Sequence, residues 1–182
     1  MIEILRDIVY NGKKTRCIMD IRYINKEDDL SEISSIYEKS WKYAYKGIIP
    51  QDYLDSIPEG RWVNGLGREG LYSLVLTENG HIIGTASICR SRWEKFPDFG
   101  EIVSIYLLPG YIGKGYGKAL FERCISELKK RGFERSLLWV LEENTRARAF
   151  YERNGFVCSD EYMDDTIGGK ELREVMYTNK IT

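Results

Sequence analysis

Residues 109–120 read PGYIGKGYGKAL. Glycines at this density beside lysines suit one kind of chemistry, the exposure of backbone N–H groups to an anion. The spacing excludes two common forms of such a site. A dinucleotide fingerprint, G-x-G-x-x-G, meets Lys118 at its third glycine when counted from Gly113, and Leu120 when counted from Gly115. A magnesium-dependent phosphate loop needs Lys directly after its second glycine. Counted from Gly110 and Gly115 that place holds Tyr116, and no Ser or Thr follows. There remain Gly113, Gly115 and Gly117 at the start of a helix, where unpaired N–H groups and the positive end of the helix dipole converge. That arrangement suits a diphosphate held without metal, with Lys114 and Lys118 adding charge.

Other chemistry-bearing side chains are sparse. His81 is the single histidine, and it falls in an expected hairpin turn. The four cysteines, Cys17, Cys89, Cys124 and Cys158, show neither C-x-x-C nor zinc spacing, so they read as reduced packing residues and no metal is expected. Cys89 lacks an evident His partner to make it a nucleophile. The acidic run SDEYMDD reads as a solvated face that also suits a cationic amine.

The elements that must position the glycines follow from periodicity. The first residues, 1–18, form an extension with two extended runs around Asn11-Gly12, a good hairpin turn. A single domain then runs from 19 to 182. Its elements are a strand at 21–24 and a helix over 28–45 with Asp28 or Asp29 as cap. A short helix follows Pro50, and a less regular helical piece lies in GRWVNGLG. Two strands follow in LYSLVLTENGHIIGTASICR, and a third spans 101–108 after the loop SRWEKFPDFG. The glycine stretch opens a helix that ends at Gly132. RSLLWVL is then a strand buried on both faces, Asn144 caps a last helix, and a hairpin crosses TIGGK. The order indicates an α/β domain with a mixed sheet.

Composition sets outer limits. The chain has 182 residues, 43% of them hydrophobic, enough for one core, and a formal net charge of -1 gives no general attraction to nucleic acid or anionic membrane. No apolar run reaches membrane-spanning length and the N-terminus does not read as a signal peptide, so a cytoplasmic location is expected.

Two segments carry a family resemblance. IVSIYLLPGYIGKGYGKALFERCISELKKRGF followed by LLWVLEENTRARAFYERNGF resembles the acetyl-CoA-binding core of the GNAT superfamily of N-acetyltransferases. In that family the first block has the form Arg/Gln-x-x-Gly-x-Gly/Ala and binds the CoA diphosphate, and Gly115 and Gly117 match its glycines. The second block is similar to the family's Asn-x-x-Ala-x-x-x-Tyr-x-x-x-Gly-Phe signature at Asn144, Ala147, Tyr151, Gly155 and Phe156. The match covers about residues 101–157, and the element order extends it to about 19–179. Ile112 departs from the pattern, standing where the family has Arg or Gln, and implies weaker CoA binding.

The resemblance implies a mostly antiparallel central sheet flanked by helices, with splayed central strands holding acetyl-CoA as co-substrate. It also implies direct attack by an amine on the thioester. Tyr151 takes the place of the general acid. Glu101, by analogy with members that use a strand carboxylate, is the expected base for an alkyl ammonium whose pKa is about 10. Ile105 and Leu107 lie nearest the cofactor. The cradle comprises Ile112, Gly113, Lys114, Gly115, Tyr116, Gly117 and Lys118, Asn144 binds pantetheine or only caps its helix, and Arg146 and Arg148 are placed for the 3′-phosphate. Trp41 and Tyr37 read as core, while Tyr43 and Tyr45, off the apolar stripe, face the acceptor.

The acceptor is then a small-molecule amine or a protein N-terminus, with no nucleic acid or membrane partner and, at family level, a homodimer. The competing reading is a CoA-binding regulatory module with weak turnover, for which Ile112 leaves room. A nucleotide-dependent oxidoreductase or kinase is disfavoured by the failed fingerprints.

Overall fold

The alternating and apolar runs of the sequence form eight strands and four α-helices among the described residues, which in this computed structural model are 4–10 and 13–181, with side chains from residue 18 onward. The strands are β1 (Ile4–Tyr10), β2 (Lys13–Tyr23), β3 (Tyr72–Glu78), β4 (His81–Arg90), β5 (Gly100–Leu107), β6 (Arg135–Leu141), β7 (Val157–Ile167) and β8 (Lys170–Lys180). The helices are α1 (Leu30–Ala44), α2 (Gln51–Ser56), α3 (Tyr116–Lys130) and α4 (Thr145–Arg153). One sheet holds all the strands in the order β1-β2-β3-β4-β5-β6-β8-β7. Neighbours run antiparallel except β5 and β6, which are parallel.

Local chemistry sets the helix ends. The Asp29 side chain accepts from the Ser31 N–H at 2.8 Å and starts α1. Asn144 does the same for Ala147 at 3.2 Å and starts α4. Gly132, at φ +84°, ends α3 in the left-handed conformation that glycine tolerates. The segment GRWVNGLG makes only a 3-10 turn, Val63–Gly65, rather than a longer helix. The expected hairpin turn at Asn11-Gly12 lies outside the described residues. β1 and β2 pair antiparallel as far as Tyr10 and Lys13. The strand expected at 21–24 is the end of β2, which pairs onward with β3.

Burial on both faces explains the apolar runs of β3 and β4. Leu74 and Leu76 pack in a core with Leu120 and Phe121 of α3, whereas Val75, on the other face, packs with Ile33, Ile36 and Tyr37 of α1. The helices therefore cover opposite faces. A third cluster joins Ile49, Leu54 and Ile57, around α2, to Leu141 and Leu172.

The sheet opens where the glycines point. β5 pairs with β6 only through Gly100 to Ser136 and Glu101 to Leu137. On its other side, Ile88 faces Ile102 and Ser87 faces Ser104, which leaves Val103 as an extra residue in β5. Such a bulge bends its strand. Beyond it, β5 diverges from β6. Gly84 admits the diverging end: a Cβ there would sit 2.4 Å from Leu107 Cδ2 and 3.0 Å from the Tyr106 carbonyl oxygen.

Candidate active site

The glycine stretch forms the N-terminal approach to α3. Gly113 and Gly115 hold φ of +81° and +86°, a region L side chains rarely enter, and Gly115 is the N-cap residue. No side chain caps this end, so the amides of Gly117 and Lys118 in its first turn are placed to meet an anion. A Cβ on Gly113 would meet nothing within 4 Å, so the space over the loop is open. Gly117 lies against β5, where a Cβ would stand 3.4 Å from Leu107 Cδ1.

This loop is one wall of a cleft of about 720 Å³, lined also by Ile105, Leu107, Ile112, Lys118, Asn144, Arg146 and Tyr151. Asn144 is 7% exposed, and capping Ala147 occupies its oxygen. Two expected cradle side chains lie elsewhere. Tyr116 is buried and donates to the Glu78 carboxylate, so only its backbone serves the loop. Lys114 stands over the Tyr111 ring at 5.5 Å. Arg148 donates to the Tyr177 hydroxyl and the Glu142 carbonyl, away from a phosphate role. Arg146 remains in the cleft, 5.0 Å over the Tyr43 ring.

A second cavity, of about 710 Å³, shares Tyr45, Ile102, Val103, Ser104, Tyr106 and Trp139 with the first. The shared residues mark the gap between β5 and β6. Along β5, Ile105 and Leu107 pack toward the core of α3 and Tyr106 toward that of α1, so alternate side chains serve the two spaces. Tyr151 reaches this gap from α4, its ring 5.9 Å from Phe121 and 5.5 Å from Phe150. Burial, and then the nearby Tyr106 and Cys124, hold its pKa above the ordinary phenol value, so it keeps its proton. Tyr106 is pushed up to about 12, chiefly by burial. Its hydroxyl accepts from Trp41 Nε1 at 3.0 Å.

The expected base, Glu101, is committed elsewhere. Its side chain is 1% exposed, and its oxygens accept from Arg92 Nη2 at 2.6 Å, Arg92 Nε at 3.1 Å and the Arg92 backbone N–H at 3.0 Å. A carboxylate engaged in this way is an anchor for the β4–β5 loop rather than a free acceptor. Glu174, on β8, lines the same cavity, and its carboxylate has no hydrogen-bond or ion-pair partner among the described residues. Burial raises its pKa first, Asp165 adds to the rise, and Arg92 opposes it. Its charge also acts on Tyr45 and Tyr106, which places it near the gap.

Several residues were read differently in sequence. Tyr43 lines the cofactor cleft, not the second cavity, and is 49% exposed. Tyr37 is core, as its helical spacing indicates, and also borders the second cavity, while Trp41, expected in the core, is partly buried and lines that cavity. Trp93, Trp139 and Glu174 had no local signal at all. His81 is exposed at the start of β4, and neither cavity includes it. Cys89 lines the second cavity, but burial and then Glu101 push its thiol up to about 11, which leaves it protonated and inert as a nucleophile. In the acidic run, Asp164 pairs with Arg173 at 2.8 Å. Among the described residues no group of three or more His, Cys, Asp or Glu is placed to hold a metal, and no helix is long and apolar enough to cross a membrane.

An amide cradle, a buried phenol and an aromatic cavity with a half-buried unpaired carboxylate can together hold two substrates end to end and move a proton at each end. Comparisons with known proteins show the family. The family model described as acetyltransferase (GNAT) matches residues 30–156. An uncharacterized N-acetyltransferase of Bacillus subtilis, YuaI, is 31% identical over 82% of this chain and 87% of its own. The [ribosomal protein bS18]-alanine N-acetyltransferase of Haemophilus influenzae is 35% identical over 81% of this chain and 97% of its own. In fold, the chain is similar to the PaiA N-acetyltransferase of Thermoplasma acidophilum in complex with coenzyme A. The TM-score is 0.72 at 24% identity, over 89% of this chain and 98% of that one.

Proposed function

The chain belongs to the GNAT family and is an N-acetyltransferase, and from that premise we propose that it acetylates a primary amine, of a small molecule or a protein N-terminus, by direct attack with both substrates bound. The observation that carries this reading is the meeting of the two cavities at the gap between β5 and β6. Two reactants aligned in one passage need no covalent enzyme intermediate.

Acetyl-CoA, when bound, supplies the acetyl group as a thioester. The residues of the first cleft fit it. The open space over Gly113 and the uncapped amides of α3 suit its diphosphate, with Lys118 and Arg146 adding charge. The edge of β5 beyond Glu101, which has no β6 partner, is available to an extended amide chain. Ile112 puts an apolar side chain against that binding region, and the backbone carries the contact.

In the second cavity, Glu174 takes up the proton of the attacking amine, directly or through water, while Glu101 fixes Arg92 and its loop. Tyr151 Oη holds a proton for the departing sulfur, and its burial keeps that proton in place until charge develops. The test is thiol release from acetyl-CoA with a panel of amines. Tyr151→Phe is expected to lower kcat by about 100-fold, as loss of a general acid does, with CoA affinity unchanged by calorimetry. Unaltered turnover would remove Tyr151 from this role. CoA binding with no amine ever acetylated would instead favour a regulatory CoA-binding module.

A further inference from the structure

The acceptor cavity carries information about which amine it takes, an inference that rests on the acetyl-transfer reading above. Its charges nearly cancel. Glu69, Glu101 and Glu174 line it together with Arg68, Arg90 and Arg92. Glu101 is neutralised by Arg92 at 2.6 Å, and Glu69 is exposed to solvent, making no ion pair with Arg68, whose Nε donates to the Asn64 carbonyl at 3.1 Å. One half-buried carboxylate, Glu174, is left without a partner among the described residues.

The walls are aromatic. On one side Trp41 and Trp62 lie with ring centroids 5.6 Å apart, and Tyr106 is tied to Trp41 by its 3.0 Å hydrogen bond. Trp93, from the β4–β5 loop, packs against Trp139 of β6 at 4.8 Å and 45°. Leu66 and Met163 complete an apolar lining. Flat aromatic faces strip water from an apolar body and favour a ring set edge-to-face or offset against them. They attract one cation as well, but each added ammonium needs its own counter-charge once desolvated. A polyamine would bring more cations than the cavity has half-buried unpaired carboxylates.

We propose that the acceptor is an arylalkylamine, a primary amine with one positive charge, its ammonium beside Glu174 near the gap and its ring among Trp41, Trp62, Trp93 and Trp139. The site thus selects for an aromatic body by its walls and for a single charge by its one half-buried carboxylate without a partner.

The full chain, saturated with CoA, is titrated calorimetrically with 2-phenylethylamine, tryptamine, hexylamine, spermidine and an alanyl tripeptide, and the same amines are assayed for thiol release from acetyl-CoA. The two arylalkylamines are expected to bind and to give kcat/KM at least about tenfold above the others, the discrimination one or two aromatic contacts supply. Trp93→Leu is expected to weaken arylalkylamine binding about tenfold while CoA affinity holds. Should that variant not fold, Glu174→Gln is expected to weaken the same amines by a similar factor. A preference for spermidine, hexylamine or the tripeptide overturns the proposal while leaving acetyl transfer intact, as does Trp93→Leu or Glu174→Gln with unchanged arylalkylamine affinity. If no amine is acetylated but arylalkylamines bind in a manner that depends on Trp93, the acetyl-transfer reading fails and the assignment of this cavity stands.

Discussion

Glu101 and Glu174 line the same cavity, yet one is locked to a guanidinium and the other is not. Their difference has a kinetic consequence. The charged groups that act on Glu174 are Asp165 on β7 and Arg92 on the β4–β5 loop, and its own charge acts on Tyr45 at the end of α1 and Tyr106 on β5. Burial and Asp165 outweigh Arg92 and raise it. A base works in its ionised form, so a raised pKa moves the acid limb of activity upward in pH. The kcat/KM profile for an amine is expected to fall on acidification through a pKa above the ordinary glutamate value of about 4.3. Glu174→Gln should abolish that limb and lower the plateau about 100-fold, measured from initial rates across pH. A mutant that retains the limb would shift the role to another group.

At the scale of elements, the start of α3 and the bulged β5 form one binding edge. Gly115 occupies a left-handed conformation at φ +86° where a β-branched side chain is strained, and it stands beside the amides that face the cleft. Gly115→Val is therefore expected to weaken CoA binding at least about 100-fold, the loss of several hydrogen bonds to a charged group. Calorimetry reads this, and thermal unfolding checks that the fold persists. An unchanged CoA affinity would mean that the diphosphate rests elsewhere.

Across the whole molecule, the end of α3 is tied to the first strands by one buried carboxylate. Glu127 is 4% exposed and accepts from Tyr23 of β2, from Lys130 at 2.8 Å and from Arg131 at 3.1 Å. Arg131 also lies 3.9 Å over the Tyr72 ring of β3. Burial alone would raise Glu127, but the hydrogen bonds of Lys130, Tyr23 and Arg131 prevail and bring it down to about 2. A carboxyl depressed on folding contributes stability that is fully present above its unfolded value of about 4.3 and lost as the pH falls toward its folded one. The melting temperature is expected to drop between about pH 4.5 and 2. Glu127→Gln should lower it at neutral pH and flatten that part of the curve, as followed by circular dichroism.

Local signals account for what the sequence by itself determined: the order of strands and helices, the caps at Asp29 and Asn144, the turn at Gly132, and the glycines at the mouth of α3. Periodicity and capping act within a few residues, so they are legible without a fold. Tyr151 is singled out only by the family resemblance, at its place in the second motif, and the structure shows it as a buried phenol lining the cleft. The divergence of β5 from β6 at the Val103 bulge was decided only in the tertiary structure, because a bulge is a relation between two strands. The same holds for the acceptor cavity. Trp41, Trp62, Trp93, Tyr106 and Trp139 come from five separate segments, and no spacing within any one of them reveals a shared wall. Helical period placed Trp41 in the core because it reports which face of a helix is covered, not whether a protein side chain or a substrate covers it. Glu101 read as a free strand carboxylate until Arg92, nine residues away, folded onto it. Charge pairing across a loop is a property of packed geometry, and it left Glu174 as the half-buried carboxylate of that cavity without an ion pair among the described residues.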